Sequence, residues 1–286
     1  MKILDSNKRK YPGKIMLCGE YTVLNGGSSL LVPSAGYSGE WSYQKSKDSR
    51  LLTLLDTIKS DNNLESTIDI KAFELEINQG LTFQSNIPIG FGMGSSGALS
   101  AAIFDQFGIP KPINHLETRE FLISIENTFH GTSSGMDALV SYLDKSIQVI
   151  NQQIEILEYT QIIPTSLYVY DSGTTRNTSA LVALYQNKIN VAKNEKYLSQ
   201  LKILNHDLTS YFKLQKQNMI QNTMALISEI QFKIFSPMIV QSIVAKWEYG
   251  LNTDKYYMKL CGAGGGGFYL VWVNDDSVIT QNYHKI

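Results

Sequence analysis

The stretch GFGMGSSGALSAA, residues 90–102, constrains this chain most, because four glycines and three serines crowd the front of a segment that otherwise reads as a helix. A helix start leaves four backbone N–H groups without partners and carries roughly +0.5 elementary charge, so it attracts anions wherever nothing bulky blocks the approach. Gly90, Gly92, Gly94 and Gly97 permit positive φ and close contact, while Ser95 and Ser96 can cap the helix or offer hydroxyls to a phosphate or its metal. The plainer alternative is a flexible strand-to-helix connection with a serine cap. No Gly-Lys-Ser/Thr follows, which excludes a Walker A loop, and the G-x-G-x-x-G, βαβ frame and acidic residue of a Rossmann unit are missing.

Whatever anion this segment holds must be held locally. The 286 residues include 25 basic and 26 acidic side chains, a formal charge of −1, so no broad basic field exists for nucleic acid or anionic lipid. Cys18 and Cys261 each lie in an apolar run and are expected as buried thiols rather than a disulfide framework. The start, MKILDSNKRKYPGK, never reaches an apolar stretch of signal length, and no segment approaches ~18 uninterrupted apolar residues, so a cytoplasmic protein is expected.

Around the opening segment, IMLCGEYTVLNGGSSLLVP (15–33) reads as two β-type runs separated by Asn25-Gly26-Gly27, a hairpin or close relative. LTFQSNIPI is strand-like, and periodicity cannot assign LLTLLDTI. A helix is expected to Phe107, stopped by Gly108 and Pro110, and another over Leu116 to Phe129. Strand signals return at SIQVI, IEILEY and SLYVYDSG; residues 176–249, nearly without Gly or Pro, read as three or four packed helices, and YYMKLCGAGGGGFYLVWV closes the chain as strand, glycine loop and strand. This order implies an α+β architecture.

Two further features carry chemistry. In EFLISIENTFHGTSSGMDALVS, Leu122, Ile125 and Phe129 form an apolar stripe and Glu126 falls on it, facing inward. An unpaired buried carboxylate costs several kcal/mol, so Glu126 calls for a cation, either a metal or a Lys/Arg, unless it reaches water at the helix edge. Asp137, after a Ser-Ser-Gly turn, is either a plain N-cap or a base or metal ligand. The run GAGGGG (262–267) places five glycines between two strands, more than a hairpin needs unless another backbone or a ligand comes very close. His115, His130, His206 and His284 have no spacing suited to a metal or a triad.

Three motifs in order, PGKIMLCGEYTVLNGG, PIGFGMGSSGALSAA and KLCGAGGGGFYLVW, make the chain resemble the GHMP kinase superfamily, and most of all its mevalonate kinases, over nearly its whole length. The resemblance implies a GHMP kinase fold of two α+β lobes with an ATP cleft between them, a lobe over 1–165 with the phosphate loop and a lobe over 166–286 with the helices and glycine loop. It puts the triphosphate on Gly92, Gly94, Ser95, Ser96 and Gly97. HGTSSGMDALVS is similar to a mevalonate kinase loop whose aspartate is the catalytic base, which gives that role to Asp137. The family's magnesium-binding glutamate, eleven residues earlier, falls on Glu126, with Ser96 completing the magnesium shell. The motif lysine corresponds to Lys14, beside the base; DSGTTRNTSALV carries an arginine and a threonine over to Arg176 and Thr178 on the substrate side, together with Gly264 and Gly265. Glu20 fits the first motif as a structural or near-site carboxylate.

The reaction so implied is transfer of the γ-phosphate of ATP, with Mg2+, to a small alcohol. Mevalonate is the leading acceptor, with phosphomevalonate or another GHMP metabolite as alternatives, since GEYTVL and GSSGA look as much like bacterial phosphomevalonate kinase. Tyr21 stands where mevalonate kinases often carry histidine. A catalytically silent nucleotide-binding relative is a reading from another class, against which Lys14, Glu126 and Asp137 are all present; the family's decarboxylase branch is a third. The expected partners are ATP and the alcohol, with neither nucleic acid nor membrane, and a homodimer is left open.

Overall fold

A computed structural model describes residues 9–109, 112, 114–157, 163–176 and 178–286. In chain order the elements are β1 (Lys10–Cys18), β2 (Ser29–Tyr43), α1 (Ser49–Lys59), α2 (Asn62–Glu65), α3 (Ile70–Asn78), β3 (Leu81–Ser85), α4 (Ser95–Phe107), α5 (His115–His130), α6 (Met136–Leu143), β4 (Ser146–Ile150), β5 (Gln153–Leu157), β6 (Leu167–Asp171), α7 (Thr178–Leu184), α8 (Glu195–Lys213), α9 (Gln217–Ile234), α10 (Gln241–Thr253), β7 (Tyr256–Leu260), β8 (Phe268–Val273) and β9 (Tyr283–Lys285). They fall into two compact units. The first comprises Met1–Lys14, Pro33–Pro88 and Met93–Asp144; the second comprises Ile15–Val32, Ile89–Gly92 and Lys145–Ile286.

In the first unit, Gly39–Tyr43 of β2 pair antiparallel with β3. The ambiguous LLTLLDTI folds as the middle of α1, because Asp48 caps it by accepting from the Arg50 amide and Leu51, Leu54, Leu55 and Ile58 bury one helical stripe. Tertiary burial decided what periodicity left open. The core gathers Trp41, Phe73, Phe83 and Phe107, with Trp41 edge-on to Phe83 at 5.2 Å and Phe73 4.7 Å from Phe107. Each such ring contributes about 1.5–3 kcal/mol by leaving water. α4 ends at Phe107 against Gly108, as expected, while Pro110 lies outside the described residues. Small residues on α4, Gly97, Ala98, Ala101 and Ala102, are buried and let α6 lie against it.

In the second unit, Ser29–Leu31 of β2 pair with β4, and β4 pairs with β5, both antiparallel. The expected hairpin is present in a modified form: β1 stops at Cys18, Thr22–Asn25 form a single 3-10 turn, and Gly26 follows in a left-handed conformation. GEYTVL therefore does not continue the strand. Its backbone leaves the extended region early, with φ of 110° at Gly19 and 58° at Tyr21. A second antiparallel sheet has the order β7-β8-β6-β9. Residues 176–249 supply α7, α8, α9 and most of α10, with Leu201, Leu208 and Phe212 of α8 and Ile220, Met224 and Ile227 of α9 wholly buried. Both cysteines are buried thiols, as predicted, and burial pushes Cys18 up to about 12 beside Thr209. Among the described residues no helix is long and apolar enough to cross a membrane.

Candidate functional site

The first unit brings together residues that lie far apart in sequence. Lys14 is 7% exposed; its backbone N–H donates to the Met93 carbonyl at 2.9 Å, and its Nζ lies 3.1 Å from Asp137 Oδ2. Asp137 sits in the first turn of α6, where the helix dipole favours negative charge. Gly135, in the left-handed region, takes the N-cap position. The cap reading of Asp137 is thereby ruled out, and its carboxylate pairs with Lys14 instead.

Glu126 faces inward from α5, as the apolar stripe implied: it is 4% exposed, beside Leu122 and Ile125 at 0% and 1%. Phe129 is half-buried. Burial, and secondarily the negative charge of Asp137, push the Glu126 carboxyl up from 4.5 to about 7; Lys14 and hydrogen bonds from Ser133 and Ser96 act in the opposite direction. The Ser133 hydroxyl donates to Glu126 Oε2 at 2.5 Å. Lys14, Ser96, Glu126 and Asp137 are thus one cluster. Among the described residues no group of three or more His, Cys, Asp or Glu is placed to hold a metal ion by itself.

The glycine-serine segment starts α4 without a side-chain cap. Gly94 is the N-cap, at φ 71°, and Ser95 and Ser96 are the first two helical residues, so neither serves as the expected cap. Gly90, Gly92 and Gly94 have positive φ, whereas Gly97 is an ordinary helical residue. What Gly97 supplies is space: a Cβ there would come within 2.8 Å of the Ala138 backbone nitrogen and 2.9 Å of Asp137. A Cβ on Gly94 would lie 3.3 Å from both Asp137 Oδ2 and Lys14 Cγ. The glycines let the helix start press against Asp137 and its lysine.

In the second unit, Arg176 is half-buried and is not the surface arginine that one reading of its segment allowed. Its backbone N–H donates to the Gly90 carbonyl and its Nη1 to the Cys261 carbonyl, both at 3.0 Å. A Cβ on Gly92 or Gly262 would overlap the guanidinium, at 1.6 and 2.7 Å from Nη2. The GAGGGG loop has positive φ at each of its five glycines. Other backbones supply the close approach that this run demanded: Gly265 donates to Met238 and Gly267 to Thr174, both at 2.6 Å, and a Cβ on Gly264 would lie 2.7 Å from the Met238 carbonyl. Thr178 begins α7, and its side chain lies outside the described ones.

The partners of three residues here were not legible in the sequence. Ser133 stood inside a quoted motif, seven positions after Glu126, but nothing in its spacing showed that its hydroxyl turns back. Tyr21 donates to the Ala263 carbonyl at 2.5 Å, stacked on Tyr185 at 4.6 Å. Lys259, 0% exposed, pairs with the equally buried Glu20 and donates to the Leu260 carbonyl at 2.8 Å; its position in the apolar run YYMKLC was the one available signal. Glu20 is accordingly a structural carboxylate of the second unit.

Residues 58–145 match the GHMP kinases N terminal domain. Beyond that segment, the fold as a whole is similar to those of solved structures. It is similar to the Methanococcus jannaschii mevalonate kinase, with a TM-score of 0.67 at 15% identity over 96% of this chain and 92% of that one. It is also similar to the Streptococcus pneumoniae phosphomevalonate kinase in complex with phosphomevalonate and AMPPNP (TM-score 0.65, 15% identity, 94% and 92% covered). The Lactococcus lactis galactokinase complexed with galactose is a more distant neighbour (TM-score 0.56, 17% identity, 94% and 86% covered). At these identities the likeness establishes the fold. By sequence, no curated protein matches the chain.

Proposed function

We propose that this chain is an ATP-dependent kinase that transfers the γ-phosphoryl group to a hydroxyl of a small metabolite, with mevalonate as the first acceptor to test. The observation that carries the reading is the Lys14–Asp137 pair at 3.1 Å beside the buried Glu126, against a helix start cleared by Gly94 and Gly97. Asp137 accepts the proton of the acceptor hydroxyl, a role that contributes about 10²–10⁴-fold. Lys14 stabilises the alkoxide as it forms. The first amides of α4, with Ser95 and Gly94, cradle the phosphates.

The cluster fits Mg2+: Glu126 is a buried carboxylate whose charge lacks full compensation, and Ser96 adds a hard hydroxyl oxygen beside it. Glu126 and Ser96 would hold such a cation, which would supply neutralisation of phosphate charge.

Coupled ADP-release assays on mevalonate, phosphomevalonate, homoserine and galactose test this directly. Turnover that depends on Mg2+ and on one of these alcohols is expected. Asp137→Asn should lower kcat by about 10²-fold or more with the thermal midpoint retained. Unchanged turnover would remove Asp137 from the base role, and nucleotide binding without turnover on any alcohol would favour a silent binding protein.

A further inference from the structure

The Ser133 hydroxyl makes two bonds that no sequence pattern announced. It donates to Glu126 Oε2 at 2.5 Å and accepts from the Gly135 backbone N–H at 2.9 Å. A serine hydroxyl has one proton, and here that proton is committed to the buried carboxylate. Gly135 is the N-cap of α6, two residues before Asp137. One side chain therefore connects the inward carboxylate of α5 with the turn that launches the helix bearing the proton acceptor. The neighbouring residue is held separately, since Arg119 Nε donates to the Ser134 carbonyl at 2.8 Å, so the turn does not depend on the Ser133 hydroxyl alone.

We propose that Ser133 is a positioning residue that fixes the orientation of the Glu126 carboxylate for a divalent cation arriving with nucleotide. The inference rests on the kinase reading above and adds a residue to it. Because Ser133 donates to Oε2, turning of the carboxylate is restrained, with Ser96 as its second hydrogen-bond partner. Without the hydroxyl, the carboxylate loses one of the two hydrogen bonds that orient it, and losing a group that orients a metal ligand typically costs about 10–100-fold in metal affinity.

Calorimetric titration of AMPPNP into the 286-residue chain, once with Mg2+ and once with EDTA, separates metal-dependent binding from the rest without needing turnover. In Ser133→Ala the Kd measured with Mg2+ should rise about 10-fold or more while the Kd in EDTA stays within about twofold, and Ser133→Thr, which keeps the hydroxyl, should restore wild-type behaviour. Ser133→Cys, nearly isosteric and a weak donor, gives the same reading should the alanine variant fold poorly. An unchanged Mg2+-dependent Kd in Ser133→Ala overturns the proposal, as does an equal loss in both conditions that Thr does not rescue. Wild-type protein that binds no AMPPNP in either condition overturns the nucleotide reading itself, and the proposal with it.

Discussion

Glu126 concentrates the energetic tension of the site in one side chain. Burial raises its pKa from 4.5 to about 7, so the folded protein holds this proton more tightly than the unfolded chain does. Its stabilising contribution is complete below the unfolded value and is lost as pH rises through the folded one. The thermal midpoint of the metal-free protein should therefore fall between pH 5 and 8 more steeply than that of Glu126→Gln, as read by scanning calorimetry at a series of pH values; equal slopes would show that this carboxylate does not carry the dependence. At this scale the sequence was informative about direction. The stripe of Leu122 and Ile125 put Glu126 on an inward face, because a helix repeats every 3.6 residues whatever surrounds it. The motif resemblance put Ser96 beside it, but nothing in the sequence showed Ser133, whose hydroxyl meets the carboxylate through a turn that no periodicity encodes.

Among the elements, the glycine loop between β7 and β8 depends on what lies beneath its first strand. Lys259 and Glu20 are both 0% exposed, and Glu20 is delivered by the turn between β1 and β2. Removing one partner of such a pair leaves an uncompensated buried charge, whereas neutralising both is far milder. Lys259→Met alone should cost about 3–5 kcal/mol in denaturant unfolding, and Glu20→Gln with Lys259→Met should recover most of it. An equally large loss in the double variant would assign the effect to packing rather than charge. The elements most legible in advance were those with strong local punctuation. α4 stops at Gly108 and α5 runs over His115–His130 close to the expected bounds, because stop residues and caps act within one turn. The run that became α1 and the turn at Thr22–Asn25 were less legible, since burial of one leucine stripe and the positive φ of Tyr21 are settled by distant contacts.

For the whole molecule, the decisive feature is that neither unit is a continuous piece of chain. The second needs Ile15–Val32 and Ile89–Gly92 as well as Lys145–Ile286. A fragment of residues 145–286 would lack Glu20 for Lys259, Thr22 for the buried Asn205 side chain at 2.9 Å, and the strand that pairs with β4. It should show no cooperative unfolding transition by circular dichroism; a sharp melt with native-like amplitude would mean that the long carboxy-terminal stretch folds by itself. Discontinuity of this kind is invisible to a linear reading, because composition and spacing show no seam at residues 14, 32, 88 or 92.

What the sequence by itself determined was local: where helices and strands punctuate, that Glu126 faces inward, that the glycine runs must meet something close, and that three motifs in order belong to one fold. These follow from backbone geometry and from side-chain volume over a few residues. Only the tertiary structure decided what the glycines meet. At Gly94 and Gly97 it is the Asp137–Lys14 pair, at Gly92 and Gly262 the Arg176 guanidinium, and at Gly264, Gly265 and Gly267 other stretches of backbone. A missing Cβ marks a close approach from any direction, and only packing in three dimensions selects the neighbour.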